Sequence, residues 1–168
     1  MIEIPKEIEL ALQADDAEPL NELIEEGNPE DFQVLQALAR DEDTPPELRR
    51  KALYAIGRWQ GRNEAAVEAI REALPSLNEL ERIAALDALG RIGTLAAYEA
   101  VMLVQEDVTP DVRRYMVKAL HDIGTEPALD ALERLAVSDD VEMVRELARQ
   151  KLQQRGRAAG GPEQKGEQ

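Results

Sequence analysis

The stretch LRRKALYAIGRWQ, residues 48–60, recurs three more times in altered form and decides the fold. The further copies are ERIAALDALGRIG at 81–93, VRRYMVKALHDIG at 112–124 and VRELARQKLQQRG at 144–156. Their first residues lie 33, 31 and 32 positions after one another. A period in this range indicates a repeat protein in which each unit is one supersecondary structure.

Each copy carries an apolar stripe with helical spacing. In the first copy, small or apolar residues stand at Leu48, Ala52, Ala55, Ile56 and Trp59, which share one face of an α-helix. The next two copies keep this spacing. Because alanine in the middle of the stripe lets neighbouring helices approach, we expect close packing between repeats, with Trp59 in the core.

A shorter apolar segment precedes each copy. These segments are PEDFQVLQALA from residue 29, EAAVEAIREAL from 64, LAAYEAVMLVQ from 95 and EPALDALERLA from 126. Glycines near the ends of the second helices and prolines near their starts mark the turns. We therefore predict four helix hairpins, at residues 28–61, 62–93, 94–124 and 125–156.

Hairpins of this size cannot bury their apolar stripes alone, so we expect them to stack into an all-α solenoid. Residues 1–27 are predicted to form an acidic helical pair, split near Asp15 and Asp16, that caps the first repeat. Residues 157–168 are rich in glycine and charge, and we expect them to be a disordered tail.

The repeated pattern Val-Arg-x-x-Ala-Ala-x-Ala-Leu-Gly-x-Ile-Gly resembles the HEAT-repeat family, in the bacterial and archaeal subtype found in phycobilin-lyase-like proteins. The resemblance covers residues 29–156. It implies a right-handed α-solenoid of about four HEAT-like hairpins, whose second helices line a concave surface that the family uses for partners.

The resemblance also implies a polar ladder between repeats. The ladder residues are the repeat arginines Arg49, Arg82, Arg113 and Arg145, together with Asp43, Asp107 and Asp139, each six residues before one of them. We expect these residues to be structural, because arginine can bridge a carboxylate and the backbone. The second unit departs from the pattern, with Ser76 in place of the aspartate and Glu81 at a position that is usually apolar.

Composition excludes several classes of function. The chain has 168 residues, no cysteine and one histidine, which excludes a disulfide framework, a thiol nucleophile and a thiolate zinc site. The formal net charge of -15 disfavours nucleic acid and anionic membranes. The sequence contains no membrane-length apolar run, and its start lacks the basic region of a signal peptide. We therefore expect a cytoplasmic protein that does not enter a membrane.

The sequence contains no arrangement that favours catalysis. A Ser-His-Asp triad could use only His121, and the two serines, Ser76 and Ser138, stand at turns where a hydroxyl commonly caps a helix. We expect His121 to be a surface residue without catalytic partners. The acidic clusters lack the spacing of a calcium-binding loop. We predict no enzyme activity, no metal site and no cofactor.

Charge divides between the two helices of the repeats. Each first helix carries a net charge of -2, whereas the second helices together carry +3. Outward positions on the second helices combine tyrosine with basic residues, a mixture typical of interfaces. The candidate partner-binding residues are Arg50, Tyr54, Arg58, Asp87, Arg91, Arg114, Tyr115, Lys118 and His121. The alternative is an ordinary solvated helix face.

These observations favour a protein-interaction scaffold or adaptor that binds a partner segment, one carrying acidic residues, on the concave face. The resemblance leaves two alternatives open. One is a bilin-lyase-like or chaperone-like subunit that acts with a partner, and the other is a nucleic-acid-binding HEAT-like protein, which the net charge disfavours. The sequence specifies neither the partner nor the oligomeric state.

Overall fold

The computed structural model describes residues 2–156, which form ten α-helices and no strand. The helices are α1 (Lys6–Gln13), α2 (Glu18–Glu26), α3 (Pro29–Arg40), α4 (Pro46–Ile56), α5 (Asn63–Ala73), α6 (Glu79–Ile92), α7 (Leu95–Val101), α8 (Pro110–Ile123), α9 (Glu126–Ser138) and α10 (Glu142–Gln154). Short 3-10 turns follow α5 and α7. The predicted disordered tail at 157–168 lies outside the described residues.

Local chemistry accounts for the helix ends. Asn78 and Glu81 form a reciprocal capping box at the start of α6, which satisfies two amides that have no partner inside the helix. Gly93 and Gly124 end α6 and α8 in the left-handed conformation, with φ of 70° and 63°. Residues with a β-carbon rarely adopt this conformation, so glycine is the favoured residue at both turns.

The helices form two layers. The first-helix layer contains α3, α5, α7 and α9, and the second-helix layer contains α4, α6, α8 and α10, in which each helix packs against the next. The helical pair α1–α2 packs against α4, at the start of this layer. The predicted all-α solenoid is confirmed.

Neighbouring second helices approach most closely at a small residue. A β-carbon added to Gly57, at the C-terminal end of α4, would lie 2.5 Å from the β-carbon of Ala88 in α6, so no side chain fits there. Gly90 of α6 approaches Ala119 of α8 in the same way, with 3.2 Å from the added β-carbon to the α-carbon of Ala119. His121 takes the corresponding position in α8.

Aliphatic side chains fill the space between the layers, and the prediction that Trp59 lies in the core is confirmed. Its side chain is 3% exposed, and its ring packs against Phe32 with 5.5 Å between the centroids. None of the helices within residues 2–156 is both long enough and apolar enough to cross a membrane.

Candidate partner-binding groove

The ladder between repeats is most complete at Arg113. Its Nε donates to Oδ2 of Asp139 at 2.9 Å, and one Nη donates to the carboxylate of Asp140 at 2.7 Å. The other Nη donates to the backbone oxygen of Asp107 at 2.6 Å. The hydrogen bond with Asp139 raises the pKa of Arg113 above its ordinary value, although burial acts in the opposite direction. This residue therefore links two consecutive repeats.

The aspartate before a repeat arginine and the aspartate after it have different roles where they are present. The aspartate six residues earlier supplies a backbone oxygen, as Asp107 does for Arg113 and Asp139 does for Arg145. The carboxylate comes from the next repeat, as in the 2.8 Å pair between Arg82 and Asp107. The ladder crosses between repeats because an extended arginine at the start of α6 or α8 reaches the connection that leads into the next second helix.

The expected ladder pair of Asp43 and Arg49 does not form within residues 2–156. Asp43 is exposed, and its amide donates to the carboxylate of Asp41. Arg49, which is 2% exposed, donates instead to the hydroxyl of Ser76 at 2.6 Å and to the backbone oxygen of Ala39 at 2.9 Å. Ser76 stands where the other repeats have the ladder aspartate, so Arg49 follows the same geometry with a neutral partner.

Glu81, which departs from the family pattern, supplies the negative charge that Ser76 does not provide to Arg49. Glu81 is buried, and its carboxylate lies 3.8 Å from Nη1 of Arg49. It also accepts the backbone amide of Asn78 at 2.7 Å. A buried guanidinium needs a nearby negative charge. Glu81 supplies this charge in the repeat that lacks the aspartate.

Both serines lie at the C-terminal ends of first-helix segments, so neither hydroxyl caps the start of the helix that follows. The hydroxyl of Ser76 donates to the backbone oxygen of Ala73 at 3.0 Å. The hydroxyl of Ser138 donates to the backbone oxygen of Arg134 at 2.7 Å. Both hydroxyls therefore bond to the backbone of the first helix that they end.

A groove of about 600 Å³ opens on the exposed face of the second-helix layer. We call it the second-helix groove. Its lining residues are Ala11, Asp15, Asp16, Ala17 and Leu20 from α1, α2 and their connection, Glu47, Arg50, Lys51 and Tyr54 from α4, Leu80, Ile83, Ala84 and Asp87 from α6, and Tyr115 from α8.

The floor of the groove is apolar because α6 carries apolar residues on both of its faces. Leu80 is 56% exposed, and Ile83 and Ala84 are half-buried beside it. By contrast, the matching positions of α4 and α8 are occupied mainly by charged residues; these positions are Glu47, Arg50 and Lys51 in α4 and Asp111, Arg114 and Tyr115 in α8. The fold therefore does not require apolar residues at Leu80, Ile83 and Ala84.

The groove brings together four of the nine candidate binding residues, which are Arg50, Tyr54, Asp87 and Tyr115. The hydroxyl of Tyr54 donates to Oδ1 of Asn21 at 3.0 Å, so the ring is held against the α1–α2 pair. Arg50 forms an ion pair with Glu47. Tyr115 is 36% exposed at the far side of the groove.

Arg58 and Arg91 lie beside a separate pocket with Trp59. Both arginines contact the carboxylate of Asp87, at 3.4 and 3.7 Å. The guanidinium of Arg58 also lies 3.5 Å from the centre of the Tyr54 ring. Burial lowers the pKa of Arg58, although Tyr54 and Asp87 act in the opposite direction. These contacts compensate for the partial burial of Arg58.

The remaining three candidate residues lie on α8. Arg114 pairs with Asp111 at 3.0 Å, and Nζ of Lys118 lies 4.7 Å from the centre of the Tyr115 ring. His121 is only partly exposed, and its backbone oxygen accepts a hydrogen bond from Arg155. His121 is therefore less exposed than we expected, and Arg155, which follows α10, contacts this position.

Four apolar residues of the groove were not predicted as binding residues, namely Leu80, Ile83, Ala84 and Leu20. A signal for the α6 residues was present, since they are apolar residues outside the buried stripe of the second unit. No comparable signal exists for Leu20, because only the packing of the α1–α2 pair against α4 brings it to the groove.

Two family descriptions match the chain. The one described as HEAT repeats matches residues 32–115, which is half of the chain. This chain belongs to the HEAT-repeat family. The description PBS lyase HEAT-like repeat matches residues 112–138. No protein with a curated function matches the chain at a significant level.

The HEAT-repeat match includes α4, α6 and the start of α8, and hence the floor of the groove. It does not include the α1–α2 pair, which supplies Asp15, Asp16 and Leu20 at one end. Within residues 2–156, no group of three or more His, Asp or Glu side chains could hold a metal ion. The arrangement is suited to binding an apolar segment by surface complementarity.

Proposed function

We propose that this HEAT-repeat protein is a scaffold or adaptor that binds a segment of a partner protein in the second-helix groove, on the face we expect to be concave, and that it acts by binding rather than catalysis. HEAT repeats generally serve as protein-interaction scaffolds. The apolar floor at Leu80, Ile83 and Ala84 carries the proposal, because exposed apolar groups with a charged rim are typical of interaction sites. The absence of cysteine is compatible with the cytoplasmic location that we predict.

The floor can supply useful binding energy. Complete burial of a leucine side chain is worth about 1.5 to 3 kcal/mol, so covering Leu80, which is 56% exposed, would contribute about 1 kcal/mol or more. Tyr115 adds an aromatic group with few rotatable bonds, a residue type that often dominates binding. Both side chains are already held by rigid helices, which lowers the entropic cost of binding.

Leu80→Asp tests the proposal, with Leu95→Asp as its matched control. The two leucines are 56% and 57% exposed, and both lie in the first turn of a helix, α6 and α7. Aspartate therefore has the same favourable effect on the helix end at both sites. We expect Leu80→Asp to abolish the capture of specific partners, identified by mass spectrometry, while Leu95→Asp retains them.

Circular dichroism and thermal unfolding of both variants should match the wild type, so that a loss of capture reports the surface and not the fold. Equal capture by both variants, or equal loss, would show that the second-helix groove is not the binding face.

The match of residues 112–138 to a PBS lyase HEAT-like repeat favours a bilin-handling subunit as a second candidate. The two candidates differ in a simple measurement. A scaffold should leave the visible spectrum of added bilin unchanged, whereas a bilin-binding subunit should shift it.

A further inference from the structure

The two ends of the second-helix groove differ in charge, because one of them is acidic. Asp15 and Asp16 are exposed in the connection between α1 and α2. This connection is held against α4, since Nζ of Lys51 donates to the backbone oxygen of Ala14 at 2.6 Å. This bond holds the connection that carries Asp15 and Asp16 beside the apolar floor.

The opposite end, on α8, is basic. Lys118 is exposed beside Tyr115, and within residues 2–156 no carboxylate lies within ion-pair distance of its Nζ. Lys51, beside the acidic end, donates to the backbone oxygen of Ala14 and offsets part of the negative charge there, whereas Arg50, between the two ends, pairs with Glu47. Exposed pairs of this kind largely cancel each other's field. The charges available to a ligand are thus acidic at one end of the groove and basic at the other.

We propose that the groove binds a peptide segment that carries a basic side chain, an apolar anchor and an acidic side chain in that spatial order. The basic side chain lies against Asp15 and Asp16, the anchor covers Leu80 and Ile83, and the carboxylate meets Lys118. This proposal rests on the proposed function and assigns the chemistry of the partner. The sequence predicts that the partner segment carries acidic residues. In this proposal, those residues lie at the α8 end of the groove only.

Charge complementarity selects this occupant. An apolar segment without charges would leave the two acidic groups beside a drier surface without compensation, which costs binding energy. A uniformly acidic segment would be repelled at the α1–α2 end and by the net charge of -15. A segment with charges at both ends satisfies both ends of the groove.

A linear peptide library displayed on phage tests the proposal. Peptides are selected on the full chain, on Asp15→Lys and on Lys118→Glu. Asp15→Lys leaves intact the 3.0 Å bond from the amide of Glu18 to the carboxylate of Asp16, so the start of α2 keeps its partner. We expect the wild type to select apolar residues with a basic residue on one side and an acidic residue on the other.

Each variant should change the selected peptides on one side of the apolar anchor only. Asp15→Lys should lose the preference for the basic residue, and Lys118→Glu should lose the preference for the acidic residue. For a synthetic peptide of the selected sequence, fluorescence anisotropy at low salt should show a loss of affinity of about tenfold for either variant. The loss should shrink as the salt concentration rises.

The results separate this proposal from the proposed function. Suppose that Leu80→Asp abolishes binding of the selected peptides but that both charge variants select the same sequences as the wild type. The proposed order of charges in the peptide is then wrong, and the groove is still the binding face. If Leu80→Asp has no effect on binding, the proposed function fails. A dimer in sedimentation that Leu80→Asp dissociates would identify a second copy of this chain as the occupant and overturn the proposal.

Discussion

Glu81→Gln should destabilise the protein although glutamine has the same shape as glutamate. The glutamine oxygen can still accept the amide of Asn78, so the capping bond at the start of α6 survives. The negative charge 3.8 Å from the guanidinium of Arg49 is lost, and the hydrogen-bond partners of this buried arginine are neutral oxygens. The substitution therefore isolates the effect of charge compensation inside the stack.

The size of the effect follows from the distance and the burial. Two unit charges about 4 Å apart attract by about 4 kcal/mol at the effective dielectric constant of a protein, and breaking a buried pair costs about 3 to 5 kcal/mol. The neutral hydrogen bonds of Arg49 offset a part of this, so we expect a loss of about 3 kcal/mol. For a chain of this size, that loss lowers Tm by roughly 6 to 12 °C.

A second substitution makes the prediction specific. Ser76→Asp should place a carboxylate on Arg49 in the way that Asp107 does on Arg82, and it should restore most of the stability lost in Glu81→Gln. Urea unfolding followed by circular dichroism at pH 7 measures all four members of this cycle. Glu79→Gln, at an exposed position in the same helical turn, is the control and should change the free energy of unfolding little. If the losses of the two single variants simply add in the double variant, Glu81 does not compensate Arg49.

Three further predictions concern packing and titration. Gly57→Ala should cost about 1 to 3 kcal/mol in urea unfolding, because its β-carbon would lie 2.5 Å from the β-carbon and 2.7 Å from the α-carbon of Ala88; a Gly57→Ala variant as stable as the wild type would contradict the close approach. Trp59, the single tryptophan, should show blue-shifted fluorescence that moves to longer wavelength on unfolding, since it is 3% exposed, whereas an emission already at the wavelength of the unfolded chain would place it in water. The hydrogen bond from Arg145 holds the pKa of Glu142 below its usual range, so this interaction stabilises the fold at neutral pH and is lost as the pH falls through the lowered pKa. Arg145→Gln should move the pKa of Glu142 back upward in an NMR titration, and an unchanged pKa would show that the pair does not form in solution.

Only some contacts of the ladder residues could be predicted from the sequence. The constant register of Arg113 and Asp107 is visible in the sequence and indicates a structural role. The carboxylate that pairs with Arg113 belongs to Asp139, 26 residues later, and only the stacking of consecutive repeats brings the two together. The same reason applies to Glu81, which departs from the family pattern in sequence and compensates a buried arginine in the structure.

In the candidate site too, the sequence predicts some features and not others. Tyr54 and Tyr115 are predictable as outward residues because helical periodicity specifies which side of a helix faces the core. Helical spacing indicates the pairs of Arg50 with Glu47 and of Arg114 with Asp111, each three residues apart. The pair of Arg58 with Asp87 was not predictable, because it joins two different repeats. The acidic end of the groove was also hidden, because it depends on where the α1–α2 pair packs.

The sequence by itself determined the helices, the period of the repeats and the apolar stripe, because these depend on interactions between residues close together in the chain. The tertiary structure decided which carboxylate pairs with each ladder arginine and which apolar residues remain exposed. It also decided that Asp15 and Leu80 share one groove. These features depend on contacts between residues far apart in sequence, and such contacts exist only after the helices have packed.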